Sequence, residues 1–284
     1  MAAFGQPFLF AGAALNLAEI RKYLAKAGIR ADRKFSQNFL FNDDVLHRII
    51  DLVPSGKGFY VEIGGGLGSL TEKAVQKKLV PFTVADLDEN MVKILKSRFS
   101  DEADIVFKDG SKIDFSQYYQ GVKGFVFGNL PYQVSSLIMM NTCFESRYLD
   151  GAVFLLQKEV AQKFAAAPKT RDFGPVAALI RLVGHADYVF KVPPEDFYPA
   201  PKVESAVLKV TFNDHSFTKE ELVSFADTVR ILFSNRRKTL QNVFKINCID
   251  SEMLNDFSDI AMKRAEELDW ETILEINEKI GRQK

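Results

Sequence analysis

The chain has 284 residues and a mass of 32.0 kDa, with 47% hydrophobic and 26% charged residues, which is enough for one large domain and a small one. Lysine plus arginine and aspartate plus glutamate each number 37, so any nucleic-acid face must come from a local cluster rather than the total charge. The two cysteines, Cys143 and Cys248, form no metal-ligand or CxxC spacing, which predicts no metal site and fits two simple buried thiols in a reducing cytoplasm.

The first residues are apolar but carry no basic start, so no signal peptide is expected. Apolar spacing of Leu17, Ile20, Tyr23 and Leu24 predicts a helix over 16–27. The basic loop RADRKFSQNFL follows, then a second helix over about 42–52. From there, strand-like and helical runs alternate. FYVEIG (59–64) leads into SLTEKAVQKK, FTVADLD (82–88) into ENMVKILKSRF, and DIVFKDG (104–110) into a polar stretch. GFVFGNL then precedes VSSLIMMNTCF, and GAVFLLQKE (151–159) opens a longer helical region. This alternation predicts βαβ units and a mainly parallel sheet.

Residues 124–144 carry no charge, but Gly128, Asn129, Pro131, Gln133 and two serines would be unsatisfied in lipid, so no membrane span is expected. ADYVFKV and SAVLKVTF flank the proline-rich PPEDFYPAPK and read as an antiparallel addition at the sheet edge. After Asn213 the pattern turns helical, which places a boundary near residue 213.

Four strand ends carry chemistry. In VEIGGGLGSLT (61–71), Gly64, Gly66 and Gly68 let the backbone turn tightly and approach a ligand, with a helix N-terminus following. Asp86 falls one βα unit later, where a nucleotide fold places an acid against ribose hydroxyls, while Asp88 reads as a helix cap. Asp109 ends the next strand. GNLPY (128–132) ends the fourth: the Asn129 amide oxygen and a carbonyl held by Pro131 are two acceptors, suited to an exocyclic amino group, and Tyr132 offers a stacking face. No nucleophile, histidine or carboxylate base is present in that pentapeptide. The glycine loop alone would also suit a nicotinamide-dependent dehydrogenase, but no proton-relay residue stands beside the predicted cleft.

FSQNFL, EIGGGLGSLT, ADLD, KDGS and GNLPY, in that order, resemble the ribosomal RNA adenine dimethyltransferases of the KsgA type, and LQKEVAQKF, FYPAPKVESAV and SNRRKTLQN extend the resemblance to about residue 270. It implies a Rossmann-like, S-adenosylmethionine-dependent methyltransferase domain over 17–213, after an extension over 1–16 and before a small all-α RNA-contacting domain over 214–284. The implied activity is dimethylation of two adjacent adenosines near the 3′ end of small-subunit ribosomal RNA. The chain would act as a cytoplasmic monomer on a pre-assembled small subunit.

By the same resemblance, Asn38, Leu40, Glu62, Gly64, Gly66, Asp86, Asp109 and Asn129 would hold the cofactor. Asn129, Leu130 and Pro131 would orient the target amine, and Tyr132 and Phe197 would sandwich its base. Arg33, Lys34, Arg236, Arg237 and Lys238 would meet RNA. Two positions depart from the family pattern: Gly65 stands where proline is usual, and Asp86 where glutamate is common. The resemblance leaves two neighbouring readings open: a resistance-type methyltransferase of large-subunit RNA, and a catalytically silent assembly factor.

Overall fold

A computed structural model describes residues 15, 17–26, 38–247, 249 and 256–281. Helix α1 (Leu17–Lys26) and strand β1 (Phe39–Leu40) precede α2 (Asp43–Asp51), whose first turn is capped by Asn42 accepting the Val45 N–H. The alternation then runs β2 (Tyr60–Ile63), α3 (Ser69–Gln76), β3 (Phe82–Asp86), α4 (Glu89–Phe99), β4 (Asp104–Phe107), β5 (Gly124–Asn129) and α5 (Ser135–Phe144). It continues through β6 (Leu149–Gln157), α6 (Lys158–Phe164), α7 (Pro175–Val183), β7 (Gly184–Val192), β8 (Phe197–Tyr198) and β9 (Ser205–Phe212). Helices α8 (Lys219–Phe233), α9 (Leu240–Ile246) and α10 (Trp270–Gly281) complete the described chain.

Seven strands form one sheet in the order β4-β3-β2-β5-β6-β9-β7, parallel from β4 to β6. Central strands are covered on both faces, which is why β5 opens as a continuous apolar run and β2 is interrupted only by the buried Glu62. The two-stranded antiparallel addition expected at the sheet edge is β9 and β7: β9 pairs with β6, and β7 pairs with the outer side of β9 and takes the edge. Strand β7 alternates buried and exposed positions, with Asp187 and Lys191 outward, which blunts further pairing.

Alternation along β2 sorts side chains between two cores. Tyr60 joins the α2–α4 side with Leu46, Leu70 and Leu95, while Val61 and Ile63 join the α5–α7 side with Met139 and Leu179. The latter core continues into Leu222, Phe225 and Val229 of α8 and Ile273 and Ile276 of α10, so these helices share it with α5 and α7. Helix α8 starts at a reciprocal capping box between Thr218 and Glu221.

A second, two-stranded pairing of β1 with β8 had no signal in the sequence. It joins Phe39 to Tyr198 and Leu40 to Phe197, and Asn42 Nδ2 donates to Asp196 Oδ1 at 2.7 Å beside it. This pairing brings the segment after the basic loop against the proline-rich loop.

Candidate active site

Strand order reverses direction on either side of β2, and ligands in open α/β sheets bind where this happens, beyond the carboxyl ends of the strands. A cavity of about 170 Å³ lies there, walled by the ends of β2, β3, β4 and β5 and the start of α5. Gly64, Gly66, Asp86, Asp109, Asn129, Leu130, Pro131, Tyr132 and Asn38 all line it, so four separate strand-end motifs converge on one space.

The glycine loop sits where side chains have no room. Gly64 and Gly66 have φ of 76° and 55°, in the left-handed region that disfavours other residues. A Cβ at Gly64 would stand 3.4 Å from the Asn129 carbonyl oxygen, so the loop passes close under GNLPY. At Gly65 a Cβ would come within 2.4 Å of Val84 Cγ1 and 3.0 Å of Leu95 Cδ1. The proline usual in the family has no space here, because this chain fills it from β3 and α4.

Asp86 ties that loop to its own turn. Its Oδ2 accepts the Gly66 N–H at 2.8 Å and its Oδ1 accepts the Asp88 N–H at 2.8 Å. Burial raises its pKa, and these backbone donors pull the other way. The shorter acid is therefore held by the loop itself, on the cavity wall, and each oxygen keeps acceptor capacity beyond its one backbone bond. Asp88 caps α4 by accepting the Asn90 N–H. Asp109 accepts from the Ser111 N–H and Oγ through one oxygen, Oδ1, which leaves Oδ2 with only a 3.8 Å approach of the exposed Lys112.

At the fourth strand end, Asn129 Nδ2 donates to the Asn38 carbonyl at 3.0 Å. That bond fixes the amide's orientation, because only the NH₂ side can face a carbonyl. Its Oδ1 takes no hydrogen bond from any described residue. Leu130 anchors the turn by donating its N–H to Leu155 O, and Val134 N–H closes the turn on Pro131 O. The Tyr132 hydroxyl meets Ser205 Oγ at 2.8 Å, and burial raises its pKa, partly offset by that bond.

Four expected residues lie elsewhere. Leu40 is 3% exposed: strand alternation turns it into the core and puts Phe39 on the cavity wall instead. Glu62 points to the α3 face of the sheet rather than to the strand end, where its Oε2 accepts from Thr71 Oγ1 at 2.7 Å. Burial lifts its pKa from 4.5 to about 8. Phe197 is also 3% exposed, turned inward by the β1–β8 pairing. Arg236 spends its guanidinium on the carbonyls of Arg171 and Phe173 and on Glu266, so it braces the helical segment. Arg237 and Lys238 are exposed, and their charged groups pair with no described residue. Arg33 and Lys34 lie outside the described residues.

Sequence reasoning missed Leu87 and Lys108 on the cavity wall, whose only signal was adjacency to Asp86 and Asp109. It also missed Thr71, nine residues from the Glu62 it bonds, and Ser205, 73 residues from the Tyr132 hydroxyl.

A glycine cradle, a carboxylate at the end of β3, a second at the end of β4 and an amide acceptor at the end of β5 fit an adenosine carrying a sulfonium. Ribose hydroxyls and an adenine amino group carry donors of the kind two carboxylates accept, and the acidic wall suits a cation. Fold and cavity together define an S-adenosylmethionine-dependent methyltransferase.

Residues 28–280 match the family described as ribosomal RNA adenine dimethylase. The chain is 32% identical over 260 residues to the ribosomal RNA small subunit methyltransferase A of Mycoplasma mycoides, covering 87% of this chain and 97% of that protein. It is 35% identical over 230 residues to the protein of the same name from Shewanella sediminis, covering 79% and 86%. Among solved structures, a dimethyladenosine transferase from Plasmodium falciparum has a similar fold, with a TM-score of 0.69 and 23% identity over 86% of this chain and 98% of that one. This protein belongs to the ribosomal RNA adenine dimethylase family.

Proposed function

We propose that the protein dimethylates the 6-amino groups of two adjacent adenosines near the 3′ end of small-subunit ribosomal RNA, as a step in small-subunit maturation in the cytoplasm. The observation that carries this reading is the orientation of Asn129, whose amide donates to the Asn38 carbonyl and so presents Oδ1 as an acceptor on the cavity wall.

S-adenosylmethionine supplies an already activated methyl group. The chain's task is to make a poor nucleophile attack it. An adenine amino nitrogen delocalises its lone pair into the ring. Asn129 Oδ1 and the Leu130 carbonyl accept its two protons, which favours a pyramidal nitrogen with a localised pair. Each bond is worth about 0.5–1.5 kcal/mol in the ground state, so catalysis comes from their strengthening as positive charge grows on nitrogen. Pro131 keeps the Leu130 carbonyl aimed, and alignment at attack distance supplies much of the remainder. The methylated nitrogen gives up its proton to water, which is why the pentapeptide carries no base.

The target base must leave its stack at a cost of a few kcal/mol, and stacking on Tyr132 offsets part of it. Phe197 completes a sandwich only by turning out of its buried position. Arg237 and Lys238 contact RNA phosphates. With a formal net charge of +0, a monomer gains too little from naked RNA and selects the pre-assembled small subunit.

The test is transfer of labelled methyl groups from S-adenosylmethionine to unmodified small subunits, with mass analysis of the RNA. Dimethylated adenosines in small-subunit RNA are expected. Label in large-subunit RNA instead would overturn the substrate assignment, and bound cofactor with no label would overturn the activity.

A further inference from the structure

Ser205 is the first residue of β9, has no solvent exposure, and is paired on both sides, with Gln157 of β6 and Val192 of β7. Its Oγ is 2.8 Å from the hydroxyl of Tyr132, which lies 73 positions away in the chain, in the turn between β5 and α5. Tyr132 is half-buried on the cavity wall, and its own carbonyl is held by Ser135 Oγ at 3.1 Å. The backbone of Tyr132 is therefore fixed at one end and its hydroxyl at the other, while the ring between them faces the cavity.

We infer that Ser205 is a positioning residue for the transfer reaction: by holding the Tyr132 hydroxyl from inside the sheet, it sets the plane of the ring on which the target base stacks. This rests on the function proposed above. A ring tethered only at Cα can swing about χ1, and a base stacked on it swings too. A tether at the far end removes that freedom before the base arrives, so stacking is not weakened by ordering the ring. The anchor is suited to the task because strands on both sides restrain it. The same strand follows directly on the loop that carries Phe197, so the tether also fixes the distance between the two segments proposed to handle the base.

The experiment compares Ser205→Ala, Tyr132→Phe and the double variant, using labelled S-adenosylmethionine and unmodified small subunits. Cofactor affinity and melting temperature are recorded beside kcat. Each single variant is expected to lower kcat about two- to tenfold, the range of one hydrogen bond. Cofactor Kd should stay unchanged, and the double variant should be no slower than Tyr132→Phe alone. A merely structural serine would lower the melting temperature and leave kcat of the folded enzyme at its wild-type value. Wild-type kcat in Ser205→Ala, or in Tyr132→Phe, overturns the inference; so do losses that multiply in the double variant. Absence of label with the wild-type enzyme overturns the proposed function instead, and this inference with it.

Discussion

The two halves of the cavity wall are finished to different degrees. On the cofactor half, each acid already takes donors within the fold: Asp86 takes the N–H groups of Gly66 and Asp88, Asp109 takes Ser111 through Oδ1 and leaves Oδ2 to a 3.8 Å approach of Lys112, and the Gly64 N–H donates to Ala85 O. On the target half, Asn129 is held through its NH₂ while its oxygen accepts nothing from the described residues. Asn129 lines the cavity, so we propose that this oriented oxygen is left for a donor from outside the chain. The cofactor half is a preassembled cradle. On the function proposed above, the target half presents an acceptor for the substrate amine.

Asn129→Ala separates the halves most sharply. It removes the acceptor aimed at the reacting nitrogen, so kcat should fall by about 10²–10³, the loss typical of one preorganised transition-state contact. Cofactor affinity should stay within about tenfold, since the carboxylates and glycine loop remain. A parallel loss of cofactor binding would show that the Asn129–Asn38 bond organises the cradle as well, and the comparison would break.

Asp86→Asn attacks the other half. An amide accepts through one oxygen only and turns a donor toward a backbone N–H, so the glycine loop loses a tie and the ribose loses a charged acceptor. Cofactor Kd, read by calorimetry, should rise about tenfold to a hundredfold, the range for hydrogen bonds to a charged group. Turnover at saturating cofactor should change much less. Equal damage to kcat and Kd would mean that the two halves move as one.

How much of this was legible in the sequence follows from how local each signal is. Strand ends were readable because buried parallel strands leave long apolar runs that stop abruptly, as GFVF does before GNLPY and FTVA before Asp86. Caps such as Asp88 are decided within three residues and were readable too. Contacts between distant segments left no trace. Nothing in DFYPAP announces that it pairs with β1 and turns Phe197 inward. Nothing in NRRK distinguishes the arginine that braces two loop carbonyls from its neighbour in solvent. Glu62 sits in a motif of ligand-binding residues, and only the pleat of β2 shows that it faces α3.

Glu62 provides a prediction on stability rather than activity. Its pKa is raised from 4.5 to about 8 by burial, so between those values the folded chain holds a proton that the unfolded chain has released. The contribution of this group to stability is greatest below pH 4.5 and declines as pH rises toward 8. At about 1.4 kcal/mol for each tenfold difference in proton affinity between the folded and unfolded chain, the full decline is a few kcal/mol. Glu62→Gln keeps an oxygen for Thr71 and cannot ionise, so its melting temperature should fall less over the same window. Identical pH profiles for variant and wild type would place the acid in a more polar setting than its burial indicates.

The smallest effects, and the finest division between regions, are expected within three consecutive cations. Arg236 donates to Arg171 O at 2.7 Å, to Phe173 O at 2.8 Å and to Glu266 at 3.1 Å. Because its side chain is partly exposed, Arg236→Ala should cost only about 1 kcal/mol, read as a fall of a few degrees in melting temperature. Arg237→Ala and Lys238→Ala remove charges with no described partner, so stability should hold. Instead, a plot of log affinity for small subunits against log salt should become shallower, its slope changing by about one for each phosphate that is no longer neutralised. A basic run acting as one undivided RNA patch would give three equal slope changes and no change in melting. Bracing by Arg236 alone gives the opposite pattern, because a guanidinium committed to two carbonyls keeps little free fork to offer a phosphate.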